Sequence, residues 1–210
     1  MIQIVLLGSG NVATHLFKAI QKTADFEVVQ VYNHNKISLI DFEDFVETTT
    51  DLQKIANADL YILALKDDVI GRVAEKIPQK NAVVVHTSGG LDLESLKNFK
   101  NRGVFYPLQT FSKSKKVNFK NIPVCIEASN KKVEELLFDL GKSVSEKVVN
   151  LTSEQRKSLH VAAVFVSNFV NLMYTEADEI CKKYNVPFEI LQPLIFETAS
   201  KIKEINPIEA

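Results

Sequence analysis

The residues whose types and spacing could do chemistry begin at once, with Gly8-Ser9-Gly10-Asn11-Val12-Ala13. This is a G-x-G-x-x-A turn. In such a turn the first glycine makes the tight bend and the second lets backbone approach a pyrophosphate. The third position must be small so that a helix packs on a strand, and Ala13 satisfies that. The anion would rest on free N–H groups at a helix N-terminus, where the helix dipole favours negative charge. An ordinary β–α turn can carry the same glycines, so the flanks decide. Ile2 to Leu7 before it is an apolar run of strand length, and Val12, Leu16, Ala19 and Ile20 after it share one helical face. All six residues, Ser9, Asn11 and Val12 included, are therefore candidates for holding a dinucleotide.

The next chemistry-bearing residues bear on which dinucleotide. An NAD-specific turn places Asp or Glu about 20 residues after the glycines, on the ribose 2′-hydroxyl. Here a second strand, Glu27 to Tyr32, ends in Asn33, His34, Asn35 and Lys36, with no acid. Amide and imidazole donors and one cation suit a 2′-phosphate, which favours NADP(H) over NAD. The alternative for His34 and Lys36 is a plain surface turn. The missing acid also weighs against an S-adenosylmethionine enzyme.

Ligands of open α/β sheets bind beyond the carboxyl ends of the strands. Loops with unusual content leave apolar strands at Leu65-Lys66-Asp67-Asp68, at His86-Thr87-Ser88-Gly89-Gly90 and at Tyr106-Pro107-Leu108-Gln109-Thr110-Phe111. Leu65, Lys66, His86, Ser88 and Gly89 are read as lining the cofactor, and Gln109 as a substrate contact; turn formation alone would also account for them. Further on, Ser158 to Tyr174 reads as a helix apolar nearly all round, which implies burial. Within it, His160, Ser167 and Asn171 fall within about 20° of one line, with Asn168 about 80° away. Buried polar groups need partners. This stripe must face another polar element, a dimer mate or a ligand.

The elements that would position these residues alternate strand and helix through about residue 150, then turn wholly helical. Asp51 to Asn57 and Leu91 to Phe99 read as helices, and Lys147 to Leu151 as the last strand. The expected fold class is α/β: a doubly wound, mostly parallel Rossmann sheet over residues 1–151, followed by an all-helical C-terminal domain over 152–210. The 210 residues are 46% hydrophobic, enough for a sizeable core, and carry 25 Lys and Arg against 26 Asp and Glu. The resulting net charge of -1 argues against nucleic acid and anionic membrane as partners. The run Lys113 to Lys116 reads as a solvated loop. Cys125 and Cys181 lack metal-ligand spacing, so no metal site is expected, and two cysteines without a basic leader suggest a reducing, cytoplasmic setting. No apolar run approaches the roughly 20 residues of a membrane span.

Taken together, Gly8 to Leu16, His86-Thr87-Ser88-Gly89, Tyr106 to Phe111 and Leu159-His160-Val161-Ala162-Ala163 to Ser167-Asn168 resemble one bacterial family over essentially the whole chain. Its members join a Rossmann-like domain to a helical C-terminal domain of unknown function. They carry the label of NADP oxidoreductase by likeness to deazaflavin-dependent enzymes. The wider group is similar to pyrroline-5-carboxylate reductase, ketopantoate reductase and 6-phosphogluconate dehydrogenase. Those enzymes hold nicotinamide on the first domain and substrate against a polar-lined helix of the second. Two of them place Lys and Asn on that helix; this sequence has His160 and Asn168 there, with Lys157 a turn earlier.

The resemblance implies an NADP(H)-dependent oxidoreductase acting on a small carbonyl, imine or hydroxy acid where the two domains meet. In it, His160 is the general acid or base, because imidazole changes protonation near neutral pH. Asn168 orients a substrate oxygen, and Ser167 and Asn171 add substrate contacts. The alternative is an NADP(H)-binding sensor or scaffold without turnover. A homodimer through the C-terminal helices is expected, and family members continue with further helices beyond residues 206–210.

Overall fold

Ile4 and Leu6 point to one side of the first strand and Val5 and Leu7 to the other, and all four are fully buried. Their strand, β1 (Ile2–Leu7), therefore has protein on both faces, which is why it reads as a continuous apolar run. The structure, a computed structural model, describes residues 1–79 and 81–209, so Ala210 of the expected C-terminal domain lies outside them. Two compact units divide the chain, Met1–His160 and a second from Val161 onward.

In the first unit, β1 pairs in parallel with β2 (Phe26–Tyr32) and β4 (Leu60–Leu63). The eight-stranded sheet has the order β3-β2-β1-β4-β5-β6-β7-β8, with β3 (Glu47–Thr49), β5 (Val83–His86), β6 (Arg102–Pro107), β7 (Val124–Ala128) and β8 (Val148–Asn150). Among the described residues only the β6–β7 pair is antiparallel. One face packs on α1 (Asn11–Ile20), α2 (Ile40–Glu43) and α4 (Lys131–Val144), through Leu16, Phe42 and Leu137 among others. The other face packs on α3 (Asp67–Glu75) through Ile70 and Ala74. The doubly wound α/β expectation holds.

Two expected helices are shorter. Residues 51–57 form only a 3₁₀ turn, Leu52–Lys54. The buried side chain of Gln30 takes the Ala56 N–H at 2.8 Å, the donor that a longer helix would have used. Leu91 to Phe99 likewise holds only the 3₁₀ turn Leu93–Leu96, opened by Asp92 accepting from Glu94 N.

α5 (Ser153–Ala163) leads into the second unit, which has a π-helical segment at Val164–Phe169, then α6 (Val170–Lys183) and α7 (Gln192–Lys201). Asn185, at φ 54, ends α6 in a Schellman motif, with Val186 N–H on Cys181 O and Asn185 N–H on Lys182 O. Two expectations are corrected here. The apolar helix is not buried in this chain: Phe165, Val166 and Met173 are exposed by 60%, 74% and 57%. Composition shows that a surface is apolar, and the single chain shows that its own residues do not cover it. Ser153–Lys183 also forms one 31-residue helical stretch with a window of mean hydropathy 1.2. By length and composition it could cross a membrane, because a continuous helix carries its apolar residues past the polar interruptions at Ser167, Asn168 and Asn171. The π segment bonds i→i+5, so angles drawn from an ideal α-helix do not carry through it.

Gly8 sets the join between β1 and β4. Its φ is +122, and a Cβ there would lie 2.2 Å from the Ala64 carbonyl oxygen. Gly8→Ala is expected to cost about 2–4 kcal/mol of stability, from strain and clash together. Urea denaturation checks this; a variant as stable as the parent would remove the constraint.

Candidate functional site

The chain order places the reversal of winding between β1 and β4, and in such sheets that is where the ligand crevice opens. Gly8 N–H bonds Tyr32 O and Ala64 N–H bonds Leu7 O, which ties three strand ends together beneath the glycine turn. α1 begins directly above. Thr14 N–H is the first to bond inside it, to Gly10 O, so the amides of Asn11, Val12 and Ala13 have no acceptor in the helix. Gly10 caps α1 with extended backbone and no side-chain hydrogen bond, the first turn holds no acid, and a Cβ at Gly10 would meet nothing within 4 Å. This is an open, electropositive cradle.

The loop after β2 is partly committed to structure. Asn33 Nδ2 donates to Ser9 Oγ at 2.7 Å, holding the glycine turn against the end of β2. Asn33 Oδ1 accepts from Asn35 N, and Asn35 Oδ1 from Ile37 N, capping the 3₁₀ turn Lys36–Leu39. His34 and Lys36 are exposed beside them. Leu65 is half-buried and Lys66 exposed at the start of α3.

The loop after β5 is built more tightly than its sequence suggests. Ser88 Oγ donates to Asp67 Oδ2 at 2.8 Å and accepts from Gly90 and Leu91 N–H. Ser88 N–H donates to His86 Nδ1 at 3.2 Å. His86 itself has no exposed surface. Its expected place lining a ligand is corrected: it lies under the loop because Ser88 folds back onto its ring. Arg156, fully buried, donates from one nitrogen to the Ser88 and Gly89 carbonyls at 3.1 and 2.9 Å. Its other nitrogen meets Glu127 Oε2 at 3.0 Å, and Ser153 N–H and Oγ also donate to Glu127. So α5 is pinned to the sheet's carboxyl edge by a buried ion pair.

That pinning brings His160 to Tyr106. Tyr106 Oη lies 3.0 Å from His160 Nδ1, and both side chains are half-buried. Gly89 packs between them: a Cβ there would lie 2.6 Å from His160 Nδ1 and 2.7 Å from Tyr106 Cζ. Burial raises the Tyr106 hydroxyl above its ordinary pKa, helped by Cys125 and opposed by Arg156, so it stays protonated at neutral pH. Gln109, expected to touch substrate, is exposed and turned onto Thr110 N–H by its own Oε1, a local turn bond. On the second unit Ser167 is half-buried, and Asn168 and Asn171 are exposed. Among the described residues no cluster of His, Cys, Asp and Glu could hold a metal.

Asp67, Tyr106, Glu127 and Arg156 were not singled out by spacing. For Arg156 there was one signal: it sits four residues before His160, on the same face of α5.

His86 makes the acid limb of stability testable. Burial, then the Arg156 charge, lower its pKa from 6.5 to about 4, with Asp92 partly opposing. The unfolded chain then binds a proton more readily than the folded one across that interval. Stability contributed by the neutral ring is therefore present above pH 6.5 and is lost as the pH falls from 6.5 to about 4. The loss should approach about 3 kcal/mol. His86→Asn, which keeps an acceptor for Ser88, should shed that part of the acid limb in denaturation at pH 7 and pH 4.5; identical limbs would refute it.

Comparison with known proteins bears on the family and the fold. Residues 3–90 match the family model described as NADP oxidoreductase coenzyme F420-dependent, and residues 122–210 match the Domain of unknown function (DUF2520). A "putative NADP oxidoreductase" from Bacteroides fragilis is 43% identical, with a TM-score of 0.90 over 98% of this chain and 82% of that one. Pyrroline carboxylate reductase from Plasmodium falciparum, solved with NADP bound, is 13% identical, with a TM-score of 0.70 over 98% and 80%. A semialdehyde dehydrogenase NAD-binding protein from Cupriavidus necator, in complex with calcium and NAD, is 17% identical, with a TM-score of 0.70 over 100% and 85%. The last two show likeness of fold alone. No curated protein matches the chain. The chain belongs to the family that joins an N-terminal domain of the NADP oxidoreductase, coenzyme F420-dependent, type to a C-terminal domain of unknown function.

Proposed function

We propose that this protein is an NADP(H)-dependent oxidoreductase that moves hydride to or from a small carbonyl, imine or hydroxy-acid substrate. The observation that carries the reading is the uncapped N-terminus of α1 on the same sheet edge as the Tyr106–His160 pair. The amides of Asn11, Val12 and Ala13 suit a pyrophosphate. His34 and Lys36, exposed after β2 where no acid follows the strand, suit a 2′-phosphate. The family description supports NADP over NAD.

Bound there, NADPH supplies the hydride. The chain's own part is to fix the cofactor by its phosphates, to keep Gly89 free of a side chain beside the reacting groups, and to hold a proton. The Tyr106 hydroxyl and the His160 imidazole share that proton and deliver it to the substrate oxygen or nitrogen.

Fluorescence titration with NADPH and NADH tests the cradle, with Gly10→Asp as the diagnostic variant. Gly10 has N-cap backbone and open space, so Asp should cap α1 and add a few tenths of a kcal/mol. The same carboxylate repels pyrophosphate and fills its donors. Tight NADPH binding by the parent, weakened about tenfold or more in a folded Gly10→Asp, is expected. Unchanged binding would overturn the assignment. NADPH bound but never oxidised across a carbonyl and imine panel would identify a non-catalytic binding protein.

We also propose that two copies pair through the second unit. Phe165, Met173, Ile180, Leu194 and Phe196 are each more than half exposed, and exposed apolar side chains in number mark an interaction surface. The free thiols of Cys125 and Cys181 support a cytoplasmic setting. Light scattering should give the dimer mass; the monomer mass would rule the pairing out.

A further inference from the structure

The run Lys113 to Lys116 reads as a solvated loop in the sequence, but the fold gathers it with other cations. A cavity of about 1080 Å³ opens along the C-terminal half of α1, facing residues 113–120 and the last turn of α4. Lys18, Lys22, Lys113, Lys115, Lys116 and Lys120 line it. No carboxylate is among the described lining residues, in a chain where acids outnumber Lys and Arg by 26 to 25. Lys113 is held by Asp41 at 2.9 Å, and the Lys18 charge also reaches that carboxylate. Lys120 Nζ donates to the Ser143 carbonyl at 3.0 Å. Among the described residues Lys18, Lys22, Lys115 and Lys116 make no ion pair.

We propose that this cavity binds a small polyphosphorylated molecule, at a site separate from the glycine turn. Six like charges gathered with one carboxylate, Asp41, beside them raise the local potential and draw in an anion, the more so in a concave wall. The volume is that of a small-molecule pocket, whereas a membrane or a nucleic acid calls for a flat or extended basic surface. All six cations are lysines. Ammonium groups are point charges that suit phosphate oxygens from any direction. Phe119 and Val144, both nearly buried, add apolar surface to the same lining.

Calorimetric titration of the full chain with tripolyphosphate is the test, done on Gly10→Asp so that the glycine turn cannot take the anion. One saturable site per chain is expected, weakening as potassium chloride rises, since the screening length falls from about 10 Å at 0.1 M to about 3 Å at 1 M. Lys22→Glu with Lys116→Glu should weaken it about tenfold or more while leaving NADPH binding by the parent background intact. If that pair does not fold, Lys22→Gln with Lys116→Gln replaces it, with a smaller loss expected. Absence of saturable heat at millimolar tripolyphosphate overturns the site, as does affinity indifferent to either pair. Citrate bound equally well would show a general anion trap, and tighter binding of anionic vesicles or single-stranded DNA a macromolecular surface; either result also overturns it. None of the overturning results depends on whether the glycine turn holds NADPH.

Discussion

The contact on which the candidate site depends is the buried guanidinium of Arg156. It has no exposed surface, and it joins three parts of the chain that are distant in sequence: the loop after β5, the carboxylate on β7 and the start of α5. Burying such a charge is costly, and the attraction to Glu127 offsets the cost only with the help of further bonds. Here the Ser88 and Gly89 carbonyls and the Ser153 hydroxyl supply them at the two terminal nitrogens, while Nε has no partner among the described residues. Losing one partner of a pair like this typically costs about 3–5 kcal/mol, because the other charge is left stranded. A hydrophobic contact of equal strength could slide; this one fixes direction. His160, one turn further along α5, therefore arrives at Tyr106 at hydrogen-bond distance.

A second constraint lies at the winding reversal. Gly8 can pass the Ala64 carbonyl only because it lacks a side chain, and that close passage puts the start of α1 over the gap between β1 and β4. Asn33 then holds Ser9 from the β2 side. Three neighbouring strands thus grip the turn, and the first amides of α1 are left without an acceptor inside the helix, with Asn11 exposed, Val12 half-buried and Ala13 buried. A helix of ordinary stability would fill that place with Ser, Thr or Asp. Glycine at the cap forgoes that bond and keeps the donors available.

Much of this was legible in the sequence. Strands buried on both faces show as unbroken apolar runs, and the glycine turn between such a run and an amphipathic helix is close to self-identifying. The antiparallel turn of β7 was less plain, although residues 108–123 hold only a 3₁₀ turn, too little for the crossover that a parallel pair requires. What stayed hidden depends on distant partners. Gln30 ends the helix expected at 51–57 from another strand. Arg156 gains its buried place only when Glu127, on β7, meets it. The lysines around α1 are spread over a hundred residues of sequence and become one surface only when folded. The C-terminal helices show the opposite limit: their composition announces burial without saying against what.

The proton logic of the Tyr106–His160 pair follows from the same burial. Enclosure disfavours the phenolate, so the hydroxyl keeps its hydrogen at neutral pH. Toward a neutral imidazole it then donates to Nδ1, which places the ring hydrogen on Nε2. Toward an imidazolium the roles reverse, and Nδ1–H donates to the phenolic oxygen. Either way the hydrogen bond survives the transfer, and the proton moves without the two rings parting. Gly89 is the condition for this, because any side chain there would fill the space in which the rings meet. The Arg156 guanidinium, donating to the Gly89 carbonyl, anchors the loop that brings the rings together. Position at this edge of the sheet is thus set by one buried cation.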